Sequence, residues 1–185
     1  GGIMVTASHN PPDYNGMKFV REGSRPISAD TGLKDMAALI RDRRLPPPAV
    51  ERGASSGRRH HLETAKPYID HLLGYIDRSA LRKLKVVVNA GNGGAGLFVD
   101  LLEPHLPFEF VKLNHAPDGT FPNGVPNPML EANRLPTAEA IRTSGADVGL
   151  AWDGDFDRCF FFDETGRFIE GYYLVGLLAE GFLAR

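Results

Sequence analysis

Val86-Val87-Val88-Asn89-Ala90-Gly91-Asn92-Gly93-Gly94-Ala95-Gly96-Leu97 decides the fold. Three consecutive β-branched residues read as a buried strand. The glycines that follow allow a tight turn, and residues 97–102 continue as a helix. Gly91 to Gly96 also fits G-x-G-x-x-G between a strand and a helix, the spacing used to cradle a dinucleotide. The next strand, residues 108–113, ends at Leu113-Asn114 with no acidic residue for a ribose. Asp118 lies beyond it in a Gly/Pro/Asn loop, residues 118–128. The glycines are therefore read as a strand-to-helix turn, and NAD is not expected.

Working outward, the same alternation recurs. Residues 137–143 read as a helix, Val148–Trp152 as a strand, Cys159–Phe162 as another, Glu164-Thr165-Gly166 as a turn and Gly171–Leu183 as a helix. Upstream, residues 3–6 and Met17–Val20 read as strands, with Asn15-Gly16 as a tight-turn signal between them. Asp30 or Thr31 is expected to cap a helix whose face is Leu33, Met36, Ala37 and Ile40. Pro46-Pro47-Pro48 would stop it, and the Pro/Ser/Gly-rich stretch to Gly57 reads as a linker. Thr64 is expected to cap a second helix, with Pro67 in its first turn. Leu62, Ala65, Ile69, Leu72, Leu73 and Ile76 would share one face of it. The expected class is α/β: layered mixed sheets with flanking helices.

The 185 residues are 42% hydrophobic and 24% charged, with a formal net charge of -2. That suits a globular chain with a sizeable core. It supplies no broad basic field, so neither nucleic acid nor a membrane is an expected partner. Arg41-Asp42-Arg43-Arg44 and Arg58-Arg59-His60-His61 are brief and read as solvated surface or linker. Cys159 stands alone, which excludes an internal disulfide and suits a reducing, cytoplasmic compartment. It reads as a buried core thiol. No signal-peptide pattern opens the chain, and the longest apolar run, residues 172–179, is far short of the ~20 residues of a membrane helix. The chain opens in a strand and closes in a helical pattern, as a piece of a longer protein would.

Two motifs carry chemistry. In Asp153-Gly154-Asp155-Phe156-Asp157-Arg158 the carboxylates fall on alternate residues, so in extended backbone they share one side. Three adjacent carboxylates repel unless a cation neutralises them, and an all-oxygen set suits Mg²⁺. Gly154 is expected to let the loop curl. Arg158 could fork onto a phosphate. An EF-hand also begins Asp-x-Asp-x-Asp, but its sixth position needs glycine where this chain has Arg158, and Cys159–Phe162 is strand. A solvated acidic turn and an aspartyl phosphatase are the other readings.

The second motif is Thr6-Ala7-Ser8-His9-Asn10-Pro11-Pro12-Asp13-Tyr14-Asn15-Gly16-Met17-Lys18. A Ser-His hydrolase is disfavoured, because neighbouring side chains in extended backbone diverge and no G-x-S-x-G elbow surrounds Ser8. Ser8 is read instead as a phosphate carrier. A phosphoserine brings about −1.5 to −2 charges, which the aspartate-bound cation would offset. Lys18 could return to the same site as a proton-transfer group, with His9 beside Ser8.

These motifs resemble the phosphoserine loop (Thr6 to Pro11) and the magnesium loop (Asp153 to Arg158) of the α-D-phosphohexomutase family. Asp13 to Lys18, Val20-Arg21-Glu22-Gly23, Arg25-Pro26-Ile27-Ser28, Phe121-Pro122-Asn123-Gly124 and Phe168 to Tyr173 extend the match over nearly the whole chain. They are most similar to the bacterial branch serving the GDP-mannose pathway, as is Phe156, where several relatives have glycine. The resemblance implies a fragment of a four-domain enzyme. Residues 1–55 would close domain 1 with its linker, 56–167 would be domain 2, and 168–185 would begin domain 3. It implies an enzyme that interconverts mannose 6-phosphate and mannose 1-phosphate, with glucose phosphates as the alternative. Its intermediate and activator would be a hexose 1,6-bisphosphate. Ser8, Asp153, Asp155 and Asp157 would hold Mg²⁺, Lys18 would be the general acid/base with His9 assisting, and Arg158 would orient phosphate or position its loop. A non-catalytic binding fragment for a divalent cation or a sugar phosphate is the reading from another class.

Overall fold

A five-stranded mixed sheet, in the order β4-β3-β5-β6-β7, carries the part of the chain that holds the acidic motif. The structure is a computed structural model that describes residues 1–11, 13–45, 47 and 58–184. It divides into two units, one of Gly1–Thr6 with Gly16–Thr64, the other of Ala7–Asn15 with Ala65–Arg185.

In the first unit, β1 (Gly2–Val5) pairs antiparallel with β2 (Met17–Val20), and α1 (Leu33–Arg41) follows. The expected Asn15-Gly16 hairpin turn does not form, since neither residue takes a positive φ. The strands are joined by a longer excursion, whose ends are tied by Thr6 N–H donating to Gly16 O at 3.0 Å. Neither Asp30 nor Thr31 caps α1. Gly32 precedes the helix with φ +138°, and the Thr31 hydroxyl instead accepts from Ser28 N–H at 2.8 Å. The predicted proline stop and linker fall almost wholly outside the described residues.

In the second unit, β3 (Lys85–Asn89) runs parallel to β4 (Glu109–Leu113) on one side and to β5 (Val148–Trp152) on the other. β6 (Cys159–Phe162) and β7 (Phe168–Ile169) continue the sheet antiparallel. Alternation along β3 divides its valines between two cores. Val86 and Val88 pack with Val99 of α3 (Ala95–Leu102). Val87 packs with Ile141 of α4 (Leu135–Ser144), Ala146, Ala151 and Phe162. Helices thus cover both faces, as buried parallel strands require. Gly149 makes the second core close, because a Cβ there would lie 2.3 Å from Ile141 Cδ1. Asn89 is buried at the end of β3. Its amide donates to Thr137 Oγ1 at 2.9 Å and accepts from Gly91 N–H at 3.0 Å and Asn114 Nδ2 at 3.3 Å.

α2 (Ala65–Leu73) buries Ile69, but Leu62 precedes the helix and Ile76 follows it, both exposed, so the expected apolar face is shorter at each end. α5 (Gly171–Leu183) buries none of its residues. Cys159, expected in the core, is exposed. In the β6–β7 turn, Asp163 accepts from Thr165 Oγ1 at 2.6 Å and from Arg167 N–H at 3.0 Å, and these bonds hold its carboxyl down at about 2. Among the described residues no helix is long and apolar enough to cross a membrane.

Phe162 is fully buried and packs edge-on against Phe168. Phe162→Ala is expected to destabilise this unit by about 3–5 kcal/mol. Urea unfolding followed by the fluorescence of Trp152 on neighbouring β5 measures it.

Candidate active site

Because β3 and β5 are parallel neighbours, the turns that leave their carboxyl ends lie side by side, where open α/β sheets place their functional groups. The turn after β3 is the glycine-rich segment. The segment after β5, residues 153–158, is a six-residue connection closed by the Trp152–Cys159 pair at the start of β6. Gly94 N–H donates to Gly154 O at 3.1 Å. A Cβ on Gly93 would lie 2.5 Å from that carbonyl oxygen, and one on Gly154 would lie 2.7 Å from Ser8 O. Three backbone segments are therefore stacked at distances only glycine permits. The glycine spacing was visible in the sequence, but its partner across the sheet was not. The expectation that Gly154 supplies the unusual backbone angle is corrected. The positive φ falls on Phe156 (+48°), and Gly154 is needed for proximity.

The segment Ala7–Asn15 belongs to the same unit as the acidic loop. Asn10 folds back on it, its N–H and its amide both donating to Ala7 O, at 3.1 and 2.8 Å. Ser8 takes φ +57°, so the backbone here is not extended. That overturns the expected divergence of Ser8 and His9, since Ser8 Oγ lies 3.2 Å from His9 Nδ1. The serine hydroxyl donates to Asp153 Oδ2 at 3.3 Å, across 145 residues of sequence.

Asp153 is fully buried. Arg158 clasps it, Nε donating to Oδ2 at 2.8 Å and its backbone N–H to Oδ1 at 3.2 Å. Nη2 of Arg158 also reaches Ser8 Oγ at 3.0 Å, and His9 Nδ1. A guanidinium only donates, so Nδ1 is the lone-pair nitrogen of His9 in this arrangement and Nε2 carries the proton. Arg158 lies 3.5 Å from Asp157 as well. Asp153, Asp155 and Asp157 each offer an oxygen, all within 4.8 Å of one another. Like charges this close repel unless a cation lies among them. The all-oxygen donor set fits a hard divalent cation.

Ser8, His9, Arg158 and the aspartate trio thus converge within one unit. Lys18 lies in the other, on β2 opposite Met4, and is exposed.

The chain was compared with known proteins. The sequence pattern described as phosphoglucomutase/phosphomannomutase, alpha/beta/alpha domain I, matches residues 1–43, and the pattern for domain II of that family matches residues 66–166. A protein of Xanthomonas campestris pv. campestris named "Phosphohexose mutases" is 64% identical over 185 residues, which cover 100% of this chain and 40% of that protein. A phosphomannomutase of Salmonella typhimurium is 56% identical over 190 residues, covering 100% of this chain and 41% of its own length. The crystal structure of a phosphoglucomutase/phosphomannomutase family protein from Burkholderia thailandensis superposes with a TM-score of 0.84 at 34% identity, over 99% of this chain and 38% of that one. The chain therefore spans about 40% of the length of the curated relatives it matches.

Gly93→Ala is expected to cost about 1–3 kcal/mol, because the added methyl meets backbone that cannot swing aside. Gly119→Ala, with nothing within 4 Å of the new Cβ, should cost nothing measurable. Paired urea titrations of the two variants check the contrast.

Proposed function

Because this chain belongs to the phosphoglucomutase/phosphomannomutase family, we propose that the intact protein interconverts mannose 6-phosphate and mannose 1-phosphate. The route runs through a phosphoserine at Ser8 and a hexose 1,6-bisphosphate that also serves as activator. The observation that carries this reading is the meeting of Ser8 Oγ with Asp153 Oδ2 at 3.3 Å, inside a cluster of three carboxylates. The domain division at 1–55, 56–167 and 168–185 belongs to the same proposal, supported by α5 burying none of its residues.

Asp153, Asp155 and Asp157, with an oxygen of the serine-borne phosphate, would hold Mg²⁺, which when bound offsets the charge of the transferring phosphoryl group. The protein's own groups move the protons. In the first transfer the sugar hydroxyl oxygen bonds to phosphorus while the bond from phosphorus to Ser8 Oγ breaks. The hydroxyl proton passes to neutral Lys18, and protonated His9 returns a proton to Ser8 Oγ. The bisphosphate then turns around. Ser8 Oγ attacks its other phosphate, gives its proton to His9 Nδ1, and Lys18 protonates the departing sugar oxygen. The cycle restores both groups. Arg158 spans Ser8 Oγ and Asp153, so it suits both jobs assigned to it: orienting the phosphate and fixing the loop.

In the full-length enzyme, Ser8→Ala should lower turnover by roughly a thousandfold or more with the fold intact. A coupled assay with mannose 1-phosphate, run beside glucose 1-phosphate, reads it, and near-normal turnover would end the phosphoserine proposal. Asp155→Asn should weaken activity and the Mg²⁺ requirement together. An unchanged Mg²⁺ titration would remove Asp155 from the cation site.

A further inference from the structure

Phe156 stands between Asp155 and Asp157, in the middle of the acidic loop, with φ +48°. A bulky side chain is rarely found in that region, which glycine enters without cost. Something must hold it there. Its backbone N–H donates to Asp153 O at 3.1 Å, closing the turn that brings the three carboxylates together. Its ring packs on Phe98 of α3, the centroids 5.0 Å apart. Phe98 in turn meets Tyr68 of α2 edge-on at 5.1 Å. Gly94 keeps the place open, because a Cβ there would lie 2.8 Å from two carbons of the Phe156 ring. Three rings thus run from α2 through α3 into the loop, ending one residue from two of its carboxylates.

We propose that Phe156 is a positioning residue. Its ring, held by Phe98 and Tyr68, locks the left-handed turn and so presents Asp155 and Asp157 beside buried Asp153 before any cation arrives. The inference rests on the reading that this trio holds a divalent cation. It goes further in making an apolar chain of rings, which carries no charge of its own, set the strength of that cation site. Outer groups that orient metal ligands commonly change affinity by about 10–100-fold. Phe98 meets the acidic loop at the Phe156 ring.

Hydrogen exchange and Mg²⁺ calorimetry on Phe98→Ala, Phe156→Gly and the double variant test the proposal. Phe98→Ala should speed exchange of the Phe156 and Arg158 amides by about tenfold or more, while the β3–β4 ladder stays protected as proof of folding. Each single variant should weaken Mg²⁺ binding by about tenfold, and the double variant should bind no more weakly than Phe156→Gly alone. Unchanged loop exchange in Phe98→Ala, or losses that multiply in the double variant, would overturn the inference. A wild-type chain that does not bind Mg²⁺ would instead defeat the functional reading, and the exchange comparison would still decide whether the rings hold the loop.

Discussion

A carboxylate with no exposure to water is the constraint around which this site is arranged. Asp153 cannot keep its charge in the interior unless donors surround it. It receives the guanidinium and backbone N–H of Arg158 and the hydroxyl of Ser8. These partners do more than stabilise one side chain. They bind the end of β5, the start of β6 and a segment from the opposite end of the sequence into one polar cluster. Asp155 and Asp157 bring two more carboxylates to within 4.8 Å. The all-oxygen set that results fits a hard divalent cation.

The fold supplies the proximity this chemistry requires. Parallel β3 and β5 send two turns out of the same sheet edge; Gly93 lets them touch backbone to backbone, Gly94 leaves room for the Phe156 ring, and Gly154 admits the Ser8 carbonyl. A Cβ at residue 93 would press on the Gly154 carbonyl that now accepts from Gly94 N–H. Ser8 enters this stack through its own carbonyl, which lies against Gly154. Ser8 is held by main-chain contact as well as by its hydroxyl.

Long apolar runs bounded by turn residues were legible from sequence. Val148–Trp152, Cys159–Phe162 and Gly171–Leu183 were delimited correctly because hydrophobicity and punctuation agree there. The two-residue strand β7 carries too little pattern to be seen, and it exists only because β6 offers it an edge. Local geometry was the harder part. The left-handed conformation of Ser8 reversed the expected relation to His9, and the Asn15-Gly16 signal gave way to a longer excursion tied by Thr6 and Gly16. Cys159 looked buried because three phenylalanines follow it, yet it faces outward at the first position of its strand. The chemistry-bearing residues were legible as types. What the sequence withheld was their distances, which depend on strand order and on which glycine faces which loop.

The central claim is that one divalent ion joins a serine-borne phosphate to the three aspartates. Phosphorus NMR of the full-length protein phosphorylated on Ser8, titrated with paramagnetic Mn²⁺ in place of Mg²⁺, tests it most directly. The account predicts that the phosphoserine resonance broadens away as the site fills, and that replacing Asp155 with asparagine delays the broadening to higher Mn²⁺. A sharp phosphoserine resonance in the presence of bound Mn²⁺ would contradict it.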